Sequence, residues 1–326
     1  MKINFINVGE GDMTIIENDG RIILIDINIS DRDEEGYKIL KSIAVDGIID
    51  YLIITHPHND HIKGLKIIAE DFKINNIWES GFRFSKEKEN EEGYEDYKYF
   101  VKLMKEKKSI ELTPSANKLN FPDEDIEFYC LNSKSNDNQE DNSEGIHYNC
   151  LVLKMVYKGK TVLFTGDSNW KAWKEKIMKN YSDMIESDIL HASHHGSKTF
   201  FIDENINEDE FNTEHLENIE PQYTIISAWT EEEKKNAGKE DFPPHKEAVE
   251  LYEEYTTEDG GVYITGEEGN LTFDIEDSEI ILNEEKSHKN YVFTQGRRIK
   301  IKSYKELKEH KSKLPPTKMA DTTFGG

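Results

Sequence analysis

The segment Thr55-His56-Pro57-His58-Asn59-Asp60-His61 puts three imidazoles and a carboxylate into six positions, directly after the apolar run Tyr51-Leu52-Ile53-Ile54. Imidazoles this close repel one another once protonated, so the arrangement calls for a cation that holds them neutral. At an extended strand end His56 and His58 project to the same side, and the turn that follows carries Asp60 and His61 round to a second position. The chain has to fold so that a strand end opens on two adjacent metal sites.

Around this segment the sequence alternates strand-like and helix-like runs. Lys2 to Val8, Met13 to Glu17 and Arg21 to Ile25 predict an opening β-meander, with Asn18-Asp19-Gly20 as a hairpin turn. Helical spacing of Tyr37, Leu40, Ile43 and Ala44 predicts a helix within Asp31 to Val45, and Ile62 to Ile68 continues as a second. Tyr94 to Lys107 reads as a charged surface helix and Ile126 to Leu131 as a strand. Asn132 to Gly145 has too little apolar content to fold and reads as a mobile loop. Cys150 to Tyr157, Thr161 to Thr165, Asp188 to Ala192 and Tyr223 to Ala228 read as strands of a second sheet half, with helices at Trp170 to Tyr181 and His245 to Tyr255. Ile202 to Glu220 is an acidic insertion, and Gly261 to Asp274 reads as a closing hairpin turning at Glu267-Glu268-Gly269-Asn270.

A chain of 326 residues is long enough for one large α/β domain with an extension. It has no apolar run near the ~20 residues needed to span a bilayer, and Met1-Lys2-Ile3-Asn4 leads straight into a strand, so a cytoplasmic protein without a membrane partner is expected. Cys130 and Cys150 sit in apolar strand-like runs and read as buried thiols. The net charge of −25 opposes binding of long polyanions. From Lys286 onward the chain carries about eleven Lys or Arg against three acids, roughly +8 on a body of roughly −33. Residues 1–285 therefore read as the body and 286–326 as a basic tail, which either lies on its own acidic body or meets an acidic partner.

Ile6-Asn7-Val8-Gly9-Glu10-Gly11-Asp12, Ile23-Leu24-Ile25-Asp26, Leu163-Phe164-Thr165-Gly166-Asp167 and His194-His195-Gly196-Ser197 complete a pattern with the histidine segment. Together they resemble the metallo-β-lactamase superfamily, and within it the branch that includes the soluble hydrolase domain of the DNA-uptake protein ComEC. A closing segment like Ser227 to His245 and Tyr263-Ile264-Thr265 is also usual in that branch. The resemblance implies a four-layer αββα sandwich, here with a basic C-terminal extension.

It also implies a site. His56 and His58 would bind the first divalent ion, Asp60 and His61 the second, and Asp167 would bridge them; zinc and manganese are the candidate ions. A carboxylate can span ions ~3.5–4 Å apart and trap a water whose pKa falls towards ~7. His194 is favoured as a ligand of the second ion and His195 for phosphate contact or proton transfer, with the exchange of these roles as the alternative. Gly196 would let the backbone approach an oxyanion and Ser197 would donate to it, while His191 on the opposite strand face reads as structural. The third ligand of the first ion is His147, or else Asn149 is the site residue there. His245 would face the cleft as a substrate-binding or catalytic group beside Asp60 and His195, or merely cap a helix. Asp12 and Asp26 would support the ligand turn from behind.

The expected activity is hydrolysis of a phosphodiester, in a nucleotide or a short or single-stranded nucleic acid, with a lactam, thioester or other ester as the enzyme alternative. The terminal Thr322-Thr323-Phe324-Gly325-Gly326 resembles the processed end of ubiquitin-like modifiers. That resemblance implies a protein partner in a conjugation or defence system as a different class of role.

Overall fold

The computed structural model describes residues 1–85, 94–134, 143–203, 211–276, 279–284, 291–294 and 297–300. They fall into two units, Met1–Lys286 and Ser287–Gly326. The loop expected over 132–145 lies largely outside the described residues, as do part of the acidic insertion and the Gly-Gly terminus.

In the first unit the chain lays down β1 (Lys2–Phe5), β2 (Thr14–Asn18), β3 (Arg21–Ile25), the short β4 (Ile27–Asn28), β5 (Ile48–Ile54), β6 (Lys73–Glu79) and β7 (Ile110–Glu111). The second half follows with β8 (Ile126–Asn132), β9 (Val152–Tyr157), β10 (Lys160–Phe164), β11 (Ile189–His191), β12 (Tyr223–Ile226) and β13 (Gly261–Ile264). The chain then closes with β14 (Leu271–Glu276) and β15 (Glu279–Glu284). Eight strands form one sheet in the order β15-β14-β1-β2-β3-β5-β6-β7, and six form another in the order β13-β12-β11-β10-β9-β8. The opening meander is present, and its β2–β3 hairpin turns through Asp19 and Gly20, both at positive φ as a type I′ turn demands.

Side-chain alternation decides how these sheets stack. Ile23 and Ile25 of β3 and Ile53 of β5 share an apolar cluster with Phe128, Leu153, Phe164, Ile189 and Ile225 of the other sheet, so these faces meet. Their neighbours Ile22, Leu24, Leu52 and Ile54 face the other way. They cover Leu40, Ile68, Phe100 and Leu103 from the helices Glu35–Ile43, Leu65–Asp71 and Glu95–Lys107. Leu163 and Leu190 likewise turn outward onto Trp173, Leu216 and Tyr252 of the helical layer behind the six-stranded sheet. The result is helices, sheet, sheet, helices, the four-layer sandwich of the metallo-β-lactamase fold. Phe5 lies 6.3 Å from Phe164 across the two sheets and 5.8 Å from Phe273 within its own. Burial of each such ring is worth on the order of 1.5–3 kcal/mol, so this trio is a strong tie between the sheets.

The closing segment differs from the expected hairpin. β13 pairs in parallel with β12, whereas β14 pairs antiparallel with β1, so the two strands belong to different sheets. Between them Thr265–Glu268 forms one helical turn with Thr265, Gly266 and Glu268 buried, and Gly269 at φ 82° releases the chain into the second sheet. A turn-forming sequence serves a crossing between layers as well as a hairpin. In the second unit the described residues form one antiparallel pair, β16 (Tyr291–Thr294) with β17 (Arg297–Lys300). Among the described residues no helix is long and apolar enough to cross a membrane.

Candidate metal centre

The chemistry-bearing residues collect at one end of the sandwich, because the strands that carry them all end there. β5 delivers His56 and His58, and the four-residue helix Asn59–Ile62 delivers Asp60 and His61. β3 leads to Asp26, β10 leads through Gly166 to Asp167, and β11 leads to His194 and His195. Gly166 adopts φ 47°, and a Cβ on it would sit 2.6 Å from Cys150 Sγ and 2.8 Å from Thr55 Cβ. Only glycine lets β10 deliver its carboxylate against the ligand turn of the other sheet.

Among the described residues three groups of ligand-capable atoms result: two share Asp167, and the third, Asp12, Asp26 and His61, lies behind the second of these. In the first, His56 Nε2 lies 3.0 Å from His58 Nδ1, which lies 3.2 Å from His147 Nε2; Asp167 Oδ2 is 3.5 Å and 3.7 Å from His56 and His147. In the second, Asp167 Oδ1 is 3.1 Å from His61 Nε2 and 3.8 Å from His195 Nε2, and Asp60 Oδ2 is 3.3 Å from His195 and 4.0 Å from His61. Ligands at 2.0–2.1 Å in tetrahedral array stand roughly 3.3 Å apart, which is the spacing observed. The orphaned atoms sharpen the fit. His61 Nε2, His195 Nε2 and Asp167 Oδ1 are buried and make no hydrogen bond although they lie close together. Asp167 Oδ1 lies 3.1 and 3.8 Å from the two nitrogens without hydrogen-bond geometry, which suits ligands of a shared cation. The residues fit two divalent ions.

Backbone and neighbouring side chains fix which nitrogen of each ring faces inward. Asp26, held at φ 55°, accepts from Thr55 N–H at 2.8 Å and Thr55 hydroxyl at 2.6 Å, and pairs with His61 Nδ1 at 2.8 Å. His195 Nδ1 faces the Ser227 carbonyl at 3.0 Å. Asp12 lies 3.4 Å from His191, 3.7 Å from His195 and 3.8 Å from His61, and its backbone N–H donates to Asp60 O at 3.2 Å. Asp12 and Asp26 thus stand behind the two sets, and His191, paired with Ser227 Oγ at 2.8 Å, also lies against Asp12. Cys150, read as a buried thiol, accepts the Asp167 N–H at 3.2 Å.

Electrostatics separates the two sets. Burial, reinforced by the other imidazoles, pushes His56 and His147 well below the usual histidine value. Burial also acts on His61 and His195, but there the carboxylates of Asp167, Asp26, Asp60 and Asp12 overcome it. His61 is lifted well above its ordinary value and His195 to about 10. Asp167 is buried, yet the surrounding imidazoles hold it well below the usual carboxylate range.

Several expectations change at this site. His195, not the favoured His194, joins the second set, because both residues adopt the left-handed conformation (φ 49° and 55°) and the backbone twists between them. His194 instead pairs through Nδ1 with Thr199 Oγ1 at 3.0 Å and directs Nε2 to within 3.7 Å of Asp167 Oδ2, at the cleft surface. Burial lowers it to about 4, so it is neutral at pH 7. His147, brought in by the helix Ser143–Tyr148, completes the first set, whereas Asn149 donates to Gly145 O at 2.7 Å, accepts from Lys176 and does not line the cleft. Gly196 serves packing: at φ 79° a Cβ would meet Pro244 at 3.0 Å and Ile226 at 3.1 Å, and it does not line the cleft. Ser197 does line it, with its oxygen accepting from the N–H and hydroxyl of Thr199 at 3.3 and 3.2 Å. His245 lines it too, but its Nδ1 accepts the Lys198 N–H at 3.2 Å, so the ring ties two loops together.

The cleft above both sets has a volume of 490 Å³. Its walls also carry Glu10, Lys171, Lys198 and Phe242, which the sequence reading did not assign. The two lysines follow Asp167 and His195 by four and three residues, and that proximity to ligands was the available signal.

Residues 6–133 match the family model described as the metallo-beta-lactamase superfamily. No curated protein matches the chain. Among solved structures, the CmlA beta-hydroxylase E377D mutant shares the fold at a TM-score of 0.51 and 12% identity, over 83% of this chain and 53% of that one; CmlA comes from Streptomyces venezuelae. Igni18, a metallo hydrolase from the archaeon Ignicoccus hospitalis, aligns at a TM-score of 0.49 and 15% identity, over 85% of this chain and 100% of that one. YhfI, a metallo-beta-lactamase fold protein from Bacillus subtilis, gives 0.48 and 12%, over 86% and 99%. The matched segment holds the ligand turn, and the fold around it is the four-layer sandwich. Over residues 6–133 the chain is similar to the metallo-β-lactamase superfamily, and its fold is shared with the CmlA structure.

Proposed function

We propose that the protein is a binuclear metal-dependent hydrolase whose substrate is a phosphodiester, in a nucleotide or a short single strand. The observation that carries this reading is the pair of ligand sets sharing Asp167 at the floor of an open cleft. The resemblance of Gly9-Glu10-Gly11-Asp12 and His194-His195-Gly196-Ser197 to the ComEC-like branch supports the phosphodiester. Fold alone does not choose the reaction, since the CmlA structure of the same fold is named a beta-hydroxylase.

His56, His58, His147 and Asp167 would hold one ion, and Asp167, Asp60, His61 and His195 the other, with zinc and manganese as candidates. Two such ions supply Lewis acidity and a water acidic enough to attack at neutral pH. Around them the chain's own groups orient the substrate. Lys171, on the cleft wall and paired with Glu144 at 2.9 Å, and Lys198 offer cations to a phosphate oxygen. His194, neutral and directed over Asp167, accepts a proton or hydrogen bond from the substrate side. His245 fixes the Lys198 loop and so the cation it carries. The net charge of −25 restricts the substrate to a short one.

The test is turnover by protein stripped with chelator and reloaded with zinc or manganese. Bis(p-nitrophenyl) phosphate and short single-stranded DNA are compared with a β-lactam, a lactone and a thioester. The diesters are expected to be preferred in kcat/KM; preference for a carbonyl substrate would replace the reading.

A further inference from the structure

The hydrolysis proposed above gives no task to Glu10. The chain nevertheless goes to some length to fix it. Gly9 and Gly11 flank it at φ 77° and 129°, and a Cβ on either would collide, with Trp229 Nε1 at 2.3 Å and with Asn28 Nδ2 at 2.2 Å. Asn28 Nδ2 donates to the Glu10 carbonyl at 2.5 Å, Gly9 N–H donates to Asn7 Oδ1 at 3.2 Å, and the Asp12 N–H is bound to the ligand turn at Asp60. The backbone on both sides is therefore tightly held, and the side chain stands on the cleft wall with Asp60 and His195. Its Oε2 is buried without a hydrogen-bond partner.

A carboxylate oxygen that is shielded from water and left unsatisfied costs stability, so a fixed one in a binding cleft has to be explained by what enters the cleft. It does not belong to either ligand set. Its effect on an incoming phosphate is repulsive and grows with the substrate's charge. A phosphodiester carries one negative charge. A phosphomonoester, with a second pKa of about 6, carries close to two above neutrality. Discrimination by a built-in repulsion is the usual way to reject a near-identical competitor.

We propose that Glu10 is a specificity-determining residue whose fixed carboxylate disfavours a second negative charge on the substrate, so that the cleft takes phosphodiesters and rejects phosphomonoesters. The proposal rests on the phosphodiester reading for its consequence in turnover, but not for its physical core, which is charge discrimination at the cleft wall.

The experiment compares metal-loaded wild type with Glu10→Gln at pH 8. Calorimetry of inorganic phosphate binding is expected to show about tenfold tighter affinity in the variant, on the scale of one nearby unit charge. The ratio of kcat/KM for p-nitrophenyl phosphate to that for bis(p-nitrophenyl) phosphate is expected to rise by a similar factor. Elemental analysis is expected to find two ions in both proteins. Unchanged phosphate affinity overturns the proposal, as does loss of an ion, which would make Glu10 a ligand. If wild type turns over neither ester, the phosphodiester reading falls, and the phosphate titration still decides whether Glu10 discriminates charge.

Discussion

The two ligand sets sit side by side and share a carboxylate, yet they differ in the state in which they would meet a metal. His56 and His147 are surrounded mostly by other imidazoles and apolar wall, so burial keeps them neutral. His61 and His195 are surrounded by Asp12, Asp26, Asp60 and Asp167, and those charges hold protons on them. In the first set burial favours the neutral imidazoles of His56 and His147; in the second the carboxylates favour the protonated imidazoles of His61 and His195. Metal entry into the second set is therefore an exchange, whereas entry into the first is an addition.

Asp167→Asn is expected to erase this difference at the greatest cost. The amide can still coordinate weakly through its oxygen, but it cannot offset the mutual repulsion of two dications. Metal content should fall from two ions towards one, with hydrolysis lost by far more than the ~10–100-fold typical of residues behind the ligands. Two ions retained on elemental analysis would show that Asp167 does not bridge.

The contrast itself is tested by His58→Ala and His195→Ala, each of which empties one set and leaves the other to be titrated alone. His195 is lifted to about 10 and His61 also lies well above its usual value, so both hold protons at neutral pH. The ion in the second set must displace them, and its affinity should climb with pH up to about 10. His56 and His147 have lost theirs well below neutrality, so affinity at the first set should be flat above neutrality and fall only in acid. Calorimetry in buffers of differing ionisation enthalpy counts the protons: up to two released from His58→Ala, which keeps the second set, and near none from His195→Ala. Equal release from both would break the comparison.

How much of this could be read from the sequence follows from how local each feature is. His56, His58, Asp60 and His61 are set by one strand end and one turn, so their spacing points to a metal site, whereas Asp167 follows only from the family resemblance, since an aspartate after a glycine at a strand end is by itself an ordinary turn residue. The order of His194 and His195 depends on two successive left-handed residues that no propensity announces. The choice of His147 over Asn149 depends on a single helical turn, Ser143–Tyr148, placed beside a ligand turn 89 residues away in the chain. β6 escaped notice because Lys73, Asn75 and Asn76 are exposed and interrupt its apolar run, although Ile74, Ile77 and Trp78 are buried. The closing strands depart from the expected hairpin because a turn sequence does not say which sheet the next strand joins.

The smallest expected effects come from the carboxylates behind the second set, and their order ranks the supports. Asp26 touches His61 at 2.8 Å while also accepting two hydrogen bonds from Thr55. In Asp26→Asn one carboxylate oxygen becomes an NH2 that faces a donor, so either Thr55 or His61 loses its partner. A loss of metal affinity in the upper part of the ~10–100-fold range is expected. Asp12 stands 3.8 Å from His61 and 3.7 Å from His195, and acts mainly through His191 and by its charge. Asp12→Asn should cost nearer tenfold. Removing that charge also weakens the hold of His195 on its proton, which favours the ion and offsets part of the loss. Metal titrations against a competing chelator decide between the two, and a larger loss in Asp12→Asn would mean that the second set is oriented through His191 and Ser227 more than through Asp26.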